Sequence, residues 1–394
     1  MIDVRVRAYT LACAAGVGLK PVREALRTRT TGLRRNTFTH SSLQTWIGRV
    51  PAIDEFKLGD IDSKWHSRNN ILAAIGLDQD NFRSNVLQAL SEFGSGRVSV
   101  VIGSSTAGIE QTERGYKTAE KDGTFLPEFW QSNVHHYHAP ALFIADYLGV
   151  KGPAITISTA CSSSAKAFAT AYRWLSANIA DAVVVGGVDT LCLTTLHGFD
   201  SLQLISPEPC RPFDRCRDGI NIGEAAGYAL LVRKKFASDG NVRLRGFGES
   251  SDAYHMSHPH SDGRGAQDAM KAALKSAKLE PRHMDYINLH GTASRINDLI
   301  EAKAVADIFP ISSRVSSTKG WTGHTLGAAG VVEAIIAIDT IHQGMIPGTL
   351  NLEKPDDALA FPVQQENSEM SVENVMSNSF GFGGNNCCLI FSRQ

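Results

Sequence analysis

Four short stretches carry side chains able to do nucleophilic or proton-transfer chemistry in settings that ordinary core-building does not require. In Ser158-Thr159-Ala160-Cys161-Ser162-Ser163-Ser164 a thiol stands between the end of an apolar run and the start of a helical pattern of small residues. A thiol in the first turn of a helix faces unpaired backbone N–H groups and the positive end of the macrodipole, which favours the reactive thiolate. The same N–H groups could hold an oxyanion forming on a bound carbonyl. A buried structural cysteine beside a serine-rich cap is the alternative. In Asn288-Leu289-His290-Gly291-Thr292-Ala293-Ser294 an apolar run ends on a histidine followed by small and hydroxyl residues. The carboxyl end of a buried strand is where α/β sheets place their ligands, although a hydrogen-bonded structural histidine fits there too. The third stretch, Ser316 to Gly330, brackets Lys319 and His324 with glycines and runs into an apolar helix bearing Glu333. It lacks GxxxxGK[ST], so a Walker-type phosphate loop is excluded. In the fourth, Asn378-Ser379-Phe380-Gly381-Phe382-Gly383-Gly384-Asn385-Asn386, two aromatic rings alternate with glycines. This predicts a mobile loop whose rings open or shut a cavity, or else a flexible hairpin.

Other matches carry less. Ser163-Ser164-Ala165-Lys166 fits S-x-x-K, but its companions S-D-N and K-T-G are missing. His135, His136 and His138, and again His255, His258 and His260, suggest metal ligands, yet neither set has the helical i, i+4 pair with an acidic base. They are expected to line a cavity or lie at the surface.

Alternating β-rich and helical segments must position these groups. Val98–Gly103, Ala154–Ser158, Ala182–Val188 and Tyr228–Arg233 read as strands in the first half. Val242–Phe247, Tyr286–His290, Arg314–Ser317, Asn374–Ser377 and Cys387–Phe391 do so in the second. Several are nearly continuous apolar runs, as in strands covered on both faces by helices. Ser162–Asn178 and Ala328–Gln343 have apolar residues at helical spacing. The polar segment Lys234–Asn241 is taken as the boundary between two halves of an α/β body.

Composition narrows the function classes. The 394 residues carry 39 Lys and Arg against 40 Asp and Glu, without the basic excess that phosphate-backbone binding calls for. The 35 glycines fit close packing and tight strand–helix turns. Seven cysteines without a CxxC pair disfavour a disulfide framework or a zinc ribbon. No secretory leader pattern opens the chain, and its apolar runs are broken before the ~18 residues a membrane span needs. A cytoplasmic location is the expectation.

Together the four stretches resemble the β-ketoacyl-acyl-carrier-protein synthases of the thiolase superfamily, in their elongating type I/II branch. The match rests on the Cys161 elbow, His290-Gly291-Thr292, Ser316-Ser317-Thr318-Lys319 through His324 to Gly330, and Asn378 to Gly384, in that order. Arg211-Pro212-Phe213-Asp214, Arg217-Asp218-Gly219 and Ser251 to Met256 extend it. It is clearest from about Val98 to Phe391 and weakest before that. It implies a thiolase-like five-layer αβαβα fold of two similar halves, residues 1–240 with the nucleophile and 241–394 with both histidines. It also implies decarboxylative Claisen condensation, in which an acyl group held on Cys161 meets malonyl-carrier protein and gives a 3-oxoacyl thioester and CO2.

By that resemblance His290 and His324 would stabilise the malonyl-derived enolate. Lys319, with Glu333, would fix the imidazoles. Phe382 would supply an oxyanion-hole N–H and gate the pocket, while Thr292, Ser294, Phe380, Gly381 and Gly383 would bind substrate. It implies no metal or organic cofactor in the chemistry, although some relatives hold a structural monovalent cation near Glu333. Expected partners are an acyl carrier protein and a second copy or a related chain-length subunit, paired across the strand before Cys161. Lys64 and Arg68, four apart on an expected helix, would meet the acidic carrier; a solvated basic face is the alternative. The acyl tunnel is expected around Ile109, His138 and Phe199. Departures include Ser294 for a commoner Thr, Ala225 for Gly, Asn385 for Thr, and Asn297 where Gly is usual, which predicts a positive φ at Asn297. Together they suggest a specialised ketosynthase, similar to those of aryl polyene or type II polyketide systems. A non-catalytic chain-length subunit and other thiolase-superfamily acyl transfers are the alternatives; the retained Cys161, His290, Lys319 and His324 speak against both.

Overall fold

The structure, a computed structural model, describes residues 2–38, 41–56, 62–119, 123–129, 132–237 and 242–394. Its main sheet contains two runs of five strands. The first comprises β1 (Val4–Cys13), β2 (Val98–Gly103), β3 (Ala154–Ile157), β4 (Ala182–Asp189) and β5 (Ala225–Arg233). The second comprises β6 (Arg243–Ser251), β7 (Tyr286–Asn288), β8 (Arg314–Ser316), β9 (Asn374–Gly381) and β10 (Asn385–Ser392). Their order across the sheet is β8-β7-β9-β10-β6-β1-β5-β4-β2-β3. Each run repeats the other. The first strand pairs antiparallel with the fifth and the fifth antiparallel with the fourth, which is followed by two parallel pairings to the second and third. A short register, Val4↔Leu244 and Arg5↔Arg243, joins the two runs.

The helices that frame the site are α1 (Arg68–Leu77), α2 (Ala139–Leu148), α3 (Ser163–Ser176), α4 (Arg264–Ala277), α5 (Arg295–Ala306), the short α6 (Lys319–Thr322) and α7 (Ala329–Gln343). Three apolar clusters show how they layer. One packs α1 and α2 on the first run of strands, another packs α4 and α5 on the second, and the largest joins both runs through α3 and α7. This gives helix, sheet, helix, sheet and helix layers, the five-layer thiolase-type architecture. The middle helix α7 is apolar almost all round because both its faces are covered. Leu326–Gln343, the stretch among the described residues long and apolar enough to cross a membrane, is mostly buried in this middle layer.

The strand expectations hold with shifted ends. The exception is β1, which the sequence reading missed although it links the two runs. Its Val-Arg-Val-Arg start places charges in a central strand, where Arg5 and Arg7 are neutralised by Asp3 and Glu92. The aromatic–glycine stretch is a hairpin: β9 and β10 stay in register to Gly381↔Asn385, with the chain reversing through Phe382–Gly384. Of the expected boundary Lys234–Asn241, residues 238–241 lie outside the described residues, and Lys234–Phe236 forms a 3-10 turn.

Candidate active site

Cys161 sits on a sharp elbow between β3 and α3. Ala160 takes a φ of 51°, a left-handed conformation costly for a residue with a side chain. The turn is closed by Ser163, whose Oγ donates to the Ala160 carbonyl at 2.6 Å and accepts from the Thr159 N–H at 2.8 Å. The neighbouring strand must come close to hold it: a Cβ on Gly103 would stand 2.2 Å from the Ser164 nitrogen. Sequence thus fixes the elbow through small residues, and packing fixes where its sulfur points.

Two histidines from the second half meet that sulfur. His324 Nε2 lies 3.0 Å from Cys161 Sγ, and the His290 and His324 rings are 5.3 Å apart and nearly perpendicular. His324 is held from the first half: its N–H donates to the Asn221 carbonyl at 2.7 Å, and its carbonyl accepts from Gly223 at 3.0 Å. His290 follows β7, where its N–H and that of Gly291 both donate to the Glu301 carboxylate at 2.8 Å. Behind the ring, the Lys319 ammonium donates to the His290 carbonyl, faces His290 Nδ1 at 3.4 Å and pairs with the Glu333 carboxylate. An ammonium has no lone pair, so it holds Nδ1 as the acceptor and leaves the Nε2–H of His290 as a donor. Lys319 and Glu333 lie behind the imidazoles, outside the cavity lining.

The electrostatics correct one expectation. Burial pushes the Cys161 thiol up to about 11, against the pull of Lys319 and of the Phe382 N–H that donates to the sulfur. The resting sulfur is therefore a thiol rather than a thiolate held at a helix tip. Cys161 lies before the first helical residue, Ser163. A helix end contributes about 0.3–1 kcal/mol, whereas one pKa unit is about 1.4 kcal/mol and burial moves buried groups by up to several units. Desolvation wins. Burial, with Lys319 adding to it, holds both imidazoles well below 6.5, so they are neutral at neutral pH. Alkylation of Cys161 by iodoacetamide should then rise about tenfold per pH unit between roughly pH 7 and 9. Peptide mapping would separate it from the exposed Cys216. A flat profile would instead mean a preformed thiolate–imidazolium pair.

A cavity of about 300 Å³ opens over the sulfur. Its lining includes Cys161, His290, His324, Thr292, Ser294, Phe380, Gly381, Phe382 and Gly383, so the residues singled out in the sequence converge. The hairpin approaches the nucleophile so closely that a Cβ on Gly381 would meet the Thr159 carbonyl at 2.9 Å and the Cys161 nitrogen at 3.3 Å. The Phe382 ring packs against Phe199 at 5.5 Å. Of the three expected tunnel residues only Phe199 lines this cavity; Ile109 and His138 do not. His138 instead accepts from the Thr156 N–H at 3.3 Å.

Further expectations are overturned. Asn297 lies inside α5 with ordinary helical φ, and the left-handed residues here are Gly291 (36°) and Ala293 (71°). Arg68 is no docking residue: its side chain is 11% exposed and pairs at 2.6 Å with the fully buried Glu224. Lys64 lies on a separate 3-10 turn, tied to Asp62 and Asp146. The S-x-x-K lysine, Lys166, reaches Asn385 at 3.2 Å and not Ser163. His135 is engaged by Thr112 and the Phe129 carbonyl. Cys161, His290 and His324 place ligand atoms within 4.8 Å of one another, a set able to hold a metal, but the Lys319 charge behind His290 works against a cation there.

The sequence reading missed the carboxylates that hold the loops. Besides Glu301, whose carboxyl burial pushes up to about 7, Asp298 accepts from the Phe213 and Ala293 N–H groups and faces the buried Arg217 at 3.4 Å. Asp298 and Glu301 stand i, i+3 on the helix following His290, a spacing that could have flagged them. Four buried oxygens near Lys319–Glu333 and β9 have no hydrogen-bond partner: Asn288 Oδ1, Glu333 Oε2, Ser377 Oγ and Asn378 Oδ1. Asn288 and Ser377 are directly paired in register. Oxygen donors of this kind suit a hard cation.

Known proteins share this arrangement. The β-ketoacyl synthase N-terminal domain matches residues 76–237 and its C-terminal domain matches residues 242–353. The chain is 36% identical over 320 residues to 3-oxoacyl-[acyl-carrier-protein] synthase 2 of Coxiella burnetii, covering 77% of each. It is 36% identical over 324 residues to the enzyme of that name from Vibrio cholerae, covering 77% of this chain and 78% of that one. Among solved structures it is similar to a ketosynthase (ApeO) in complex with its chain length factor (ApeC) from Xenorhabdus doucetiae. That match has 33% identity and a TM-score of 0.86, and covers 100% of this chain and 98% of that one. By domain content, sequence relatives and architecture alike, the chain belongs to the β-ketoacyl synthase family, acyltransferases that make 3-oxoacyl thioesters.

Proposed function

We propose that this β-ketoacyl-acyl-carrier-protein synthase runs its decarboxylative Claisen condensation on Cys161, with His324 and His290 as its proton-handling and enolate-stabilising groups. The observation that carries this is the 3.0 Å contact between Cys161 Sγ and a neutral His324, with His290 beside them on the same cavity. In the first half-reaction His324 takes the thiol proton as sulfur attacks the acyl thioester. The carrier thiol leaves with a proton, and the acyl group stays on Cys161. This splits one condensation into two acyl transfers. The N–H groups of Cys161 and Phe382 hold the oxyanion. In the second, the malonyl C–C bond breaks to release CO2, and its electron pair becomes an enolate whose oxygen accepts the Nε2–H of His290 and, with His324 now in its Nε2–H tautomer, a second N–H bond. Neutral rings donate well and lose no proton first. The enolate carbon attacks the acyl carbonyl, the Cys161 thiolate departs, and a proton restores the thiol.

Lys319, paired with Glu333, sets the orientation and tautomer of His290 from behind. Thr292 and Ser294 flank the arm that delivers substrate, and Phe382 guards the entrance. Asn288, Glu333, Ser377 and Asn378 would hold a structural monovalent cation. The partners we assign are an acyl carrier protein and a second ketosynthase-type chain, identical or related. The outermost strand β3 has one sheet neighbour among the described residues, and the similar ApeO structure is a complex with a chain length factor. The pathway we favour is a specialised one, of aryl polyene or type II polyketide kind. The purified protein should convert acyl- and malonyl-carrier protein into 3-oxoacyl product and CO2 in equal amounts. Carrier acylation of Cys161 without CO2 release would restrict it to acyl transfer.

A further inference from the structure

Outside the cavity lining, one buried carboxylate connects the support of the nucleophile with the turn that carries His324. Asp189 ends β4, is fully buried and accepts from six neutral donors. Five come from the loop after β2. The hydroxyls of Ser104, Ser105 and Thr106 donate at 2.7, 2.6 and 2.8 Å, and the N–H groups of Ser105 and Thr106 at 2.9 Å. The sixth is the N–H of Gly327 at 2.6 Å, from the second half of the chain and three residues beyond His324. Seating that turn on Asp189 takes a bare backbone: a Cβ on Gly327 would stand 2.7 Å from the carboxylate. It also takes Leu326 to a φ of 55°, a left-handed conformation that persists only where the surroundings impose it.

The same strand bears on the elbow. A Cβ on Gly187, two residues before Asp189, would stand 2.7 Å from the Cβ of Ser164, and Gly103, just before Ser104, packs on Ser164 as well. One side chain therefore ties the backbone that seats Cys161 to the turn after His324. The rings show why such a tie matters. His290 Nδ1 is faced by Lys319, whereas His324 Nδ1 is buried with no hydrogen-bond partner among the described residues. No hydrogen bond orients the His324 ring from its far side, so its 3.0 Å approach to Cys161 Sγ depends on where its main chain is held.

We propose that Asp189 is a positioning residue for His324, anchoring the turn that follows it through the Gly327 N–H so that the imidazole meets the sulfur across the two halves of the chain. The inference rests on the condensing function above, in which His324 takes the thiol proton. It assigns Asp189 a share in the rate of bond-making and none in binding the substrate, which it does not touch.

The test uses the whole enzyme and follows acylation of Cys161 by acyl-carrier protein with intact-protein mass spectrometry. Asp189→Asn keeps the side chain's shape but turns one acceptor oxygen into a donor that faces other donors. Its maximal acylation rate should fall by about 10- to 100-fold, the loss that a misplacement of about 1 Å produces. The carrier concentration giving half that rate should change by less than about threefold, since Asp189 lies outside the cavity lining. His324→Ala should slow acylation as well, and in that background Asp189→Asn should cost almost nothing more, whereas a general loosening of the fold costs the same in both. If Asp189→Asn does not fold, Gly327→Ala reads the same tie: its methyl pushes the turn off the carboxylate and leaves Asp189 its other donors. A crystal structure of either variant should show His324 Nε2 drawn away from Cys161 Sγ. Equal losses in the two backgrounds overturn the assignment, as does a variant structure that keeps the two atoms at hydrogen-bond distance. An unaltered enzyme that forms no acyl adduct and no condensation product counts against the condensing function, and the variant structure still decides whether Asp189 places His324.

Discussion

Cys161→Ala should abolish covalent acylation and lower condensation by on the order of 10⁴-fold or more, because the acyl-enzyme has no other sulfur in the cavity to form on. Of the seven cysteines only Cys161 lines the cavity; Cys210, whose thiol donates to the Lys319 carbonyl at 3.4 Å, lies behind it. The variant removes no donor from the imidazoles, so it should still release CO2 from malonyl-carrier protein, since His290 and His324 keep their places against Glu301, Lys319 and Asn221. Mass spectrometry of the intact protein after acyl-carrier exposure reads the first effect, and CO2 capture reads the second. An acyl adduct forming on the variant at the unaltered rate would remove Cys161 from the mechanism. Loss of CO2 release together with acylation would mean that the sulfur also organises the imidazoles.

Lys319→Ala carries the second large effect, and it falls on stability as well as rate. Lys319 is 1% exposed and Glu333 2%, and they form an ion pair in the middle layer. Removing one partner leaves the other charge buried, a loss of about 3–5 kcal/mol. Burial already pushes the Glu333 carboxyl from 4.5 up to about 7, and without the ammonium it goes higher. A group whose folded pKa lies above its unfolded value favours folding while protonated and loses that advantage as pH rises. The penalty of Lys319→Ala should therefore be small near pH 5 and largest above pH 7. Urea unfolding at the two pH values measures it. Adding Glu333→Ala should recover much of the stability at pH 8 but not the condensation rate, because His290 still lacks the group that faces its Nδ1. A double variant that regains the rate would show that Lys319 acts only as a structural counter-ion.

The misplaced expectations share one cause. Arg68 was read as a surface charge because Lys64 stood four residues away, but its partner Glu224 is 156 residues off in sequence. Asn297 stands where the left-handed turn is expected by analogy of position, while the chain takes that conformation six and four residues sooner, at Gly291 and Ala293, so that the Asp298 carboxylate can accept the Ala293 N–H. Local spacing fixes which residues share a helix face; it does not say what lies opposite that face.

The sequence by itself determined the catalytic inventory: Cys161 among small residues, His290 after a strand, Lys319 and His324 among glycines, and the aromatic–glycine hairpin. Each is a local necessity, since an elbow at φ 51° and a Cβ-free approach to the nucleophile tolerate few residue types. Only the tertiary structure decided the protonation states and the shared cavity. These depend on how much water two packed five-stranded runs exclude around a sulfur and two rings drawn from opposite halves of the chain, and desolvation is a property of the enclosing layers rather than of any one segment.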